Sequence, residues 1–252
     1  MSKVILITGA SSGIGKAIGD FLCNKNFKVY GTSRDPSKYI DSNFQLLSLN
    51  VNNSVSIDKC IDEIIKIEGS IDVLINNAGV GITGPLEEIP EIEIENNFKT
   101  NFFGPLNILK KVLPIMRSKK SGLIINITSL AAYVGTPYRS VYSASKAALD
   151  LVSETLNMET KPFNIKVVTV APGEFSTNIA SRRYHASSEK SSPYYFNYSK
   201  ALRLMNNHVD AGADPKLIGK LIFKIINSKN PKKKYIACIF FNFWNPNSSI
   251  IS

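Results

Sequence analysis

The chain is poor in the residues that build metal centres and disulfide frameworks. Its 252 residues hold two histidines, His185 and His208, and three cysteines, Cys23, Cys60 and Cys238. The histidines lack metal-ligand spacing, so no metal site is expected. The cysteines are odd in number, scattered and free of any C-x-x-C, and they read as reduced core residues of a cytoplasmic protein. No apolar run approaches the roughly 18 residues of a membrane-spanning helix. The first strand signal begins by residue 3, so no signal peptide is expected. No Pro/Gly/Ser-rich linker and no internal repeat divides the sequence, which predicts one domain over residues 1–252. Acidic residues are also scarce, 20 against 30 basic ones, for a net charge of +10. Such a surplus raises the question of a nucleic-acid partner. The basic residues are spread along the chain, only Lys232, Lys233 and Lys234 cluster, and no aromatic–basic stacking motif accompanies them. A solvated basic surface is the simpler reading, and no nucleic-acid partner is expected.

What is present begins with a strand that runs into a glycine turn. Val4 to Thr8 is a short β-branched and apolar run, too short for a helix, as in a buried parallel strand. Gly9-Ala-Ser-Ser-Gly13-Ile-Gly15 follows at once, then the helical stretch KAIGDFLCNK. A strand, a glycine turn and a helix N-terminus make an anion site, because unpaired N–H groups and the positive end of the helix dipole face the ligand. Gly9 permits the turn, Gly13 lets a pyrophosphate approach the backbone, and Gly15 lets the helix pack close to the sheet.

Further pieces follow in order. Ile71 to Ile75 reads as a strand ending in Asn76-Asn77-Ala78-Gly79, and Asn101 lies in KTNFFG. Leu123 to Ile127 reads as a strand ending in Thr128-Ser129. Val167 to Val170 leads into Ala171-Pro172-Gly173, with Thr177 beyond. Thirteen residues after Ser129 comes Tyr142, with Lys146 four residues on. Residues four apart share a helix face, so the ammonium can lie beside the phenol. Lowering a phenol pKa by about 3 units needs roughly 4 kcal/mol of preference for the anion. One cation about 4 Å away at an effective dielectric of about 20 supplies that order of energy. A single Tyr-x-x-x-Lys pair is expected by chance in a chain this rich in tyrosine and lysine, so its weight comes from its surroundings.

TGASSGIG, NNAG, Ser129, YSASK and PG, in this order and spacing, resemble the compact one-domain short-chain dehydrogenase/reductases, specifically from Lys3 to Thr177 and more loosely to Lys234. The resemblance implies a single-domain α/β Rossmann fold, a doubly wound parallel sheet of about seven strands flanked by helices. It implies Tyr142 as general acid in reduction and base in oxidation, Lys146 as the group that lowers its pKa, Ser129 as the hydrogen-bond partner of the substrate oxygen, and Asn101 as the anchor of a water relay. It assigns Gly9, Ser11, Ser12, Gly13, Ile14, Gly15, Arg34, Asn50, Val51, Asn77, Ala78 and Gly79 to the cofactor, together with Tyr142, Lys146, Pro172, Gly173 and Thr177. The second strand, Phe27 to Thr32, ends in Ser33-Arg34-Asp35. An NAD site places an acid at that strand end, whereas a 2′-phosphate calls for an arginine. Serine followed by Arg34 favours NADP(H) over NAD(H), with Asp35 able to pair with Arg34.

The same resemblance makes residues 178–212 a lid over the substrate. Tyr184, Tyr194, Tyr195, Phe196 and Tyr198 suit a hydrophobic alcohol or carbonyl of steroid-like, retinoid-like or aromatic kind, while Arg182 and Arg183 suit a carboxylate or phosphate on the substrate. This lid segment shows little helical periodicity. Helices around Asn101–Lys119 and Ser140–Lys161 match those that pair subunits in relatives, implying a homodimer or homotetramer. Three features depart from the family pattern. Asn50 replaces an aspartate at the adenine, Gly19 interrupts the first helix, and residues 239–252 form an atypical tail. The expected activity is hydride transfer between NADP(H) and a hydrophobic alcohol or carbonyl. An isomerase or hydro-lyase on the same scaffold, or a non-catalytic NADP(H) sensor, is the alternative.

Overall fold

The computed structural model describes residues 2–39, 41–176, 183–187, 189–210 and 212–237. Thr177, Arg182, Cys238 and the tail 239–252 lie outside them. Strands and helices alternate: β1 (Val4–Ile7), α1 (Gly13–Cys23), β2 (Lys28–Ser33), β3 (Gln45–Ser48), α2 (Ser54–Glu68) and β4 (Val73–Asn76). A short β5 (Ile82–Thr83), α3 (Glu91–Phe98), a π-helical turn (Lys99–Phe103) and α4 (Gly104–Lys119) lead to β6 (Gly122–Ile127). Then come α5 (Ser140–Glu159), β7 (Ile165–Pro172), β8 (Tyr184–His185), α6 (Tyr195–Asp210), α7 (Lys216–Ile226) and β9 (Lys234–Ala237). Among the described residues no helix is long and apolar enough to cross a membrane.

Seven strands form one parallel sheet in the order β3-β2-β1-β4-β6-β7-β9. The apolar runs have no polar face because helices cover both sides, and the period-two alternation of strand side chains divides each run between two cores. Leu6, Leu74, Ile124 and Val167 pack with α2 and α4. Ile5, Ile7, Val73, Ile75, Ile125 and Val168 pack with α1 and α7. The order reverses between β1 and β4, and in open α/β sheets ligands bind outside the carboxyl ends of the strands at such a switch point.

The glycine inside α1 has a packing explanation. A Cβ on Gly19 would lie 2.4 Å from Cε1 of Phe44, and one on Gly31 of β2 would lie 2.3 Å from its Cε2. The Phe44 ring therefore fills a slot between α1 and β2. A second difference concerns residues 195–210, which form α6 although the lid sequence shows little periodicity. Tyr198 and Met205 are buried and Leu202 is partly buried on its inner face. That i, i+4, i+7 stripe is only three residues wide, and tertiary burial rather than pattern strength fixes the helix.

Buried polar groups tie α5 to the sheet. Asn76 of β4 donates to Asn126 of β6 at 2.8 Å, and Asn126 donates to Ser153 of α5 at 2.7 Å. At the outer edge, Lys234 of β9 lies 2.7 Å from the buried carboxylate of Asp150, which also accepts the Tyr133 hydroxyl at 2.7 Å. These contacts fix the helix that carries Tyr142 and Lys146 relative to β6.

Candidate active site

A cleft of about 1360 Å³ runs along the carboxyl ends of β1, β2, β4, β6 and β7. It exceeds the roughly 300–1,000 Å³ of a pocket for one small ligand and has room for a dinucleotide and a substrate together. Every described cofactor residue assigned from sequence except Gly15 lines it; Thr177 lies outside the described residues.

At the dinucleotide end, β1 delivers the chain into a turn fixed by hydrogen bonds. Gly9 has φ +64 and lies against Ala78, where an added Cβ would come 2.9 Å from the Ala78 Cα. A Cβ on Gly15 would lie 2.4 Å from both Gly9 O and Asn77 Nδ2, so α1 can start here only with glycine. Gly15 is thus a packing residue. Asn77 donates to Thr8 O and Gly9 O, both at 3.0 Å, and Thr8 Oγ1 accepts the N–H groups of Asn77 and Ala78. The Asn77 amide holds the turn in shape, a role that its sequence neighbourhood does not announce. Helix α1 has no acidic residue in its first turn and no side-chain cap at its N-terminus, which leaves its positive end suited to a pyrophosphate.

At the end of β2, Ser33 is buried and Arg34 is exposed on the cleft. Asp35 does not pair with Arg34. Its carboxylate is 3.1 Å from Lys38 and accepts from Ser37, and the hydroxyl first and the ammonium second hold it below the usual carboxylate range. Asn50 accepts the N–H of Asn52 on its amide oxygen at 3.1 Å, so that oxygen already serves its own loop.

The four residues expected to do chemistry arrive from three places in the fold. Ser129 follows β6, and its Oγ accepts the Ala131 N–H at 3.2 Å. Tyr142 and Lys146 lie one turn apart on α5, both buried. Lys146 Nζ donates to the Ile127 carbonyl at 3.0 Å, and burial alone brings its pKa down to about 8. Asn101 sits in the π-helical turn, a distortion that often marks functional sites. Its Oδ1 accepts the Val80 N–H at 2.8 Å and its Nδ2 donates to Val80 O at 2.9 Å. The amide thereby clamps the loop after β4. A Cβ on Gly79 would lie 3.1 Å from Asn101 Oδ1 and 3.2 Å from Lys146 Nζ, so glycine is what allows the two groups to close on this point.

Two features escaped the sequence reading. The Arg139 guanidinium lies over the Tyr142 ring, 5.1 Å from its centroid, and Arg139 lines the cleft. Its helical spacing, three residues before Tyr142, was the available signal. The other is the use made of Arg183. Instead of facing a substrate anion, its stem packs on Gly81, its guanidinium donates to Asn206 of α6, and it does not line the cleft. Among the lid aromatics, Tyr198 is wholly buried with its hydroxyl 3.1 Å from Thr83 Oγ1, while Phe196 is 76% exposed. Ile82, Ile89, Ala186 and Tyr198 make an apolar roof beside Tyr142.

The sequence profile described as short chain dehydrogenase matches residues 3–188. A 3-ketodihydrosphingosine reductase of Bacteroides thetaiotaomicron is 42% identical over 91% of this chain and 85% of its own. Retinol dehydrogenase 8 of Bos taurus is 30% identical over 98% of this chain and 87% of its own. A crystal structure of a short-chain dehydrogenase from Streptomyces avermitilis superposes with a TM-score of 0.82 at 32% identity, covering 94% of this chain and 88% of that one.

Proposed function

The chain belongs to the short-chain dehydrogenase family, oxidoreductases with an NAD(P)-binding Rossmann fold, and from that premise we propose that it is an NADP(H)-dependent ketone reductase for a hydrophobic substrate, with Tyr142 as general acid. The observation that carries this reading is the buried Tyr142 beside the apolar roof, flanked along α5 by the Lys146 ammonium. The 42% identity to a 3-ketodihydrosphingosine reductase supports a ketone as the substrate.

Gly9, Gly13 and the first turn of α1 would hold the pyrophosphate, Arg34 a 2′-phosphate, and Pro172 and Gly173 the nicotinamide side. When bound, the nicotinamide supplies a hydride to the carbonyl carbon. Tyr142 delivers its phenolic proton to the carbonyl oxygen as that hydride arrives. Ser129, at the end of β6, orients the oxygen by a hydrogen bond. Lys146 stabilises the phenolate left behind, and Asn101 keeps the Gly79–Val80 loop tight against that ammonium. General acid catalysis of this kind contributes about 10²–10⁴-fold.

The test is a panel of carbonyl compounds, 3-ketodihydrosphingosine and all-trans-retinal included, incubated with NADPH. One mole of NADPH consumed per mole of alcohol formed supports the reading. Conversion without net use of cofactor would make the protein an isomerase or hydro-lyase, and binding of NADPH with no conversion across the panel would make it a sensor.

A further inference from the structure

We infer that the apolar part of the ketone substrate is an unbranched alkyl chain, and that it leaves the reacting carbon toward β9, along Tyr133, Val134 and Ile236, instead of beneath the lid. This rests on the ketone-reductase reading of the cleft. Single exposed apolar side chains are ordinary on a protein surface. Among the described residues, the large apolar side chains that are both exposed and on the cleft wall are these three, 37%, 40% and 42% exposed. They come from one place. Tyr133 and Val134 are adjacent, and Lys234 of β9 brings its ammonium to 5.7 Å from the Tyr133 ring centroid. Residues two apart on a strand share a face, so Ile236 stands on the same side of β9, one step nearer the carboxyl end. Tyr235 and Ala237, on the other face, pack with the core under α1 and α7.

The strip is continuous with the proposed chemistry. Ser129, the partner of the carbonyl oxygen, is followed by one short helical turn, Leu130–Ala132, and then by Tyr133. On the far side, Ile236 pairs with Ala171 of β7, and the Ala237 carbonyl accepts the Gly173 N–H at 2.8 Å beside the turn assigned to the nicotinamide. The wall is also held in place. The Tyr133 hydroxyl donates to Asp150 at 2.7 Å, and Lys234 is 2.7 Å from the same carboxylate and 3.1 Å from that of Glu154. The polar end of the phenol and the charge of the ammonium are thereby occupied against α5, which leaves the ring to meet a ligand. A wall fixed in advance loses little side-chain freedom on binding.

The lid offers no comparable surface. Ile82, Ile89, Ala186 and Tyr198 are buried against one another, and among the described residues of 183–210 none lines the cleft. Phe196 is exposed but is no part of the cleft wall. A fused ring system gains most between two walls, whereas this strip is one row of side chains open to solvent. A flexible chain needs only one wall. Burying a methylene completely is worth about fourfold in affinity, and a wall open on one side gives roughly twofold for each methylene laid along it.

The test reads the dependence on chain length. Straight-chain methyl ketones from six to twelve carbons are reduced with NADPH, and the matching alcohols are bound to the NADP⁺ complex in a calorimeter. In wild type, KM falls and alcohol affinity rises about twofold per added methylene. Val134→Asp and Ile236→Asp, which set a carboxylate in the strip from two separate elements, flatten both slopes, and Val134→Leu keeps them. Two charged variants are used so that one misfolding leaves the comparison intact. A uniform loss at every length with the slope kept is what general damage gives, and it overturns the inference. So does a wild type indifferent to chain length, or one that binds fused-ring ketones more tightly than straight-chain ketones of equal carbon number. A wild type that reduces none of the ketones would instead overturn the ketone-reductase reading, while the alcohol titrations still read the strip.

Discussion

The Asp35 carboxylate lies 3.1 Å from the ammonium of Lys38 and is spent there, although Arg34 is its neighbour in sequence. Arg34 stays on the cleft wall at the end of β2, where a ribose 2′-phosphate would meet it.

This relationship predicts a cofactor preference that depends on one side chain. A charge-assisted contact is worth about 1.5–3 kcal/mol, or roughly 10- to 150-fold in affinity. Arg34→Gln should weaken NADPH binding by that factor and leave NADH binding within about twofold. Titration of both cofactors by nicotinamide fluorescence at fixed salt reads the result. Equal loss for the two would show that Arg34 supports the loop and does not read the phosphate.

Lys146 predicts a stability that opposes function. Burial sets it near 8, against about 10.5 for a lysine in water. Between those values the unfolded chain carries one more proton than the folded one, so stability rises with pH across that window, and below it the full cost of about 3 kcal/mol is present. Lys146→Met removes that cost but leaves the Ile127 carbonyl without its donor, a loss of about 1–2 kcal/mol. The cofactor-free variant should be more stable than wild type by roughly 1–2 kcal/mol at pH 7 in urea denaturation, and the gain should vanish near pH 10. A variant less stable than wild type at pH 7 contradicts the burial argument.

Phe44 and Gly19 predict a sign change. Alanine is favoured over glycine inside a helix by about 1 kcal/mol, yet a Cβ at position 19 would strike the Phe44 ring at 2.4 Å. Overpacking of this kind costs about 1–3 kcal/mol. Gly19→Ala should destabilise wild type by roughly 1 kcal/mol and stabilise a Phe44→Ala background by about as much. A double-mutant cycle showing additivity within about 0.3 kcal/mol would remove Phe44 as the reason for the glycine.

What was legible in the sequence was what is local. Val4–Ile7 and Gly122–Ile127 announce themselves because a strand buried on both faces tolerates only apolar residues. The Gly9 and Gly15 turn is readable because no other residue fits the backbone there. Tyr142 and Lys146 are readable because four residues are one helical turn. Contacts between distant segments were not. Phe44 in the slot at Gly19, Asp150 on Lys234 and Asn101 on Val80 join positions that nothing local relates. Arg139 was within reach of the same helix-face argument that found Lys146, but the left-handed backbone of Tyr138 directly before it is something no propensity predicts for a tyrosine. Arg183, read as a substrate contact, is consumed by Gly81 and Asn206.

The most direct measurement compares wild type with Tyr142→Phe in NADPH-dependent reduction of the best ketone from the panel, after each protein's NADPH affinity has been measured. The account predicts NADPH affinities within about threefold and a kcat reduced by about 10²–10⁴-fold in the variant. A variant that binds NADPH equally and reduces the ketone at the wild-type rate would contradict it.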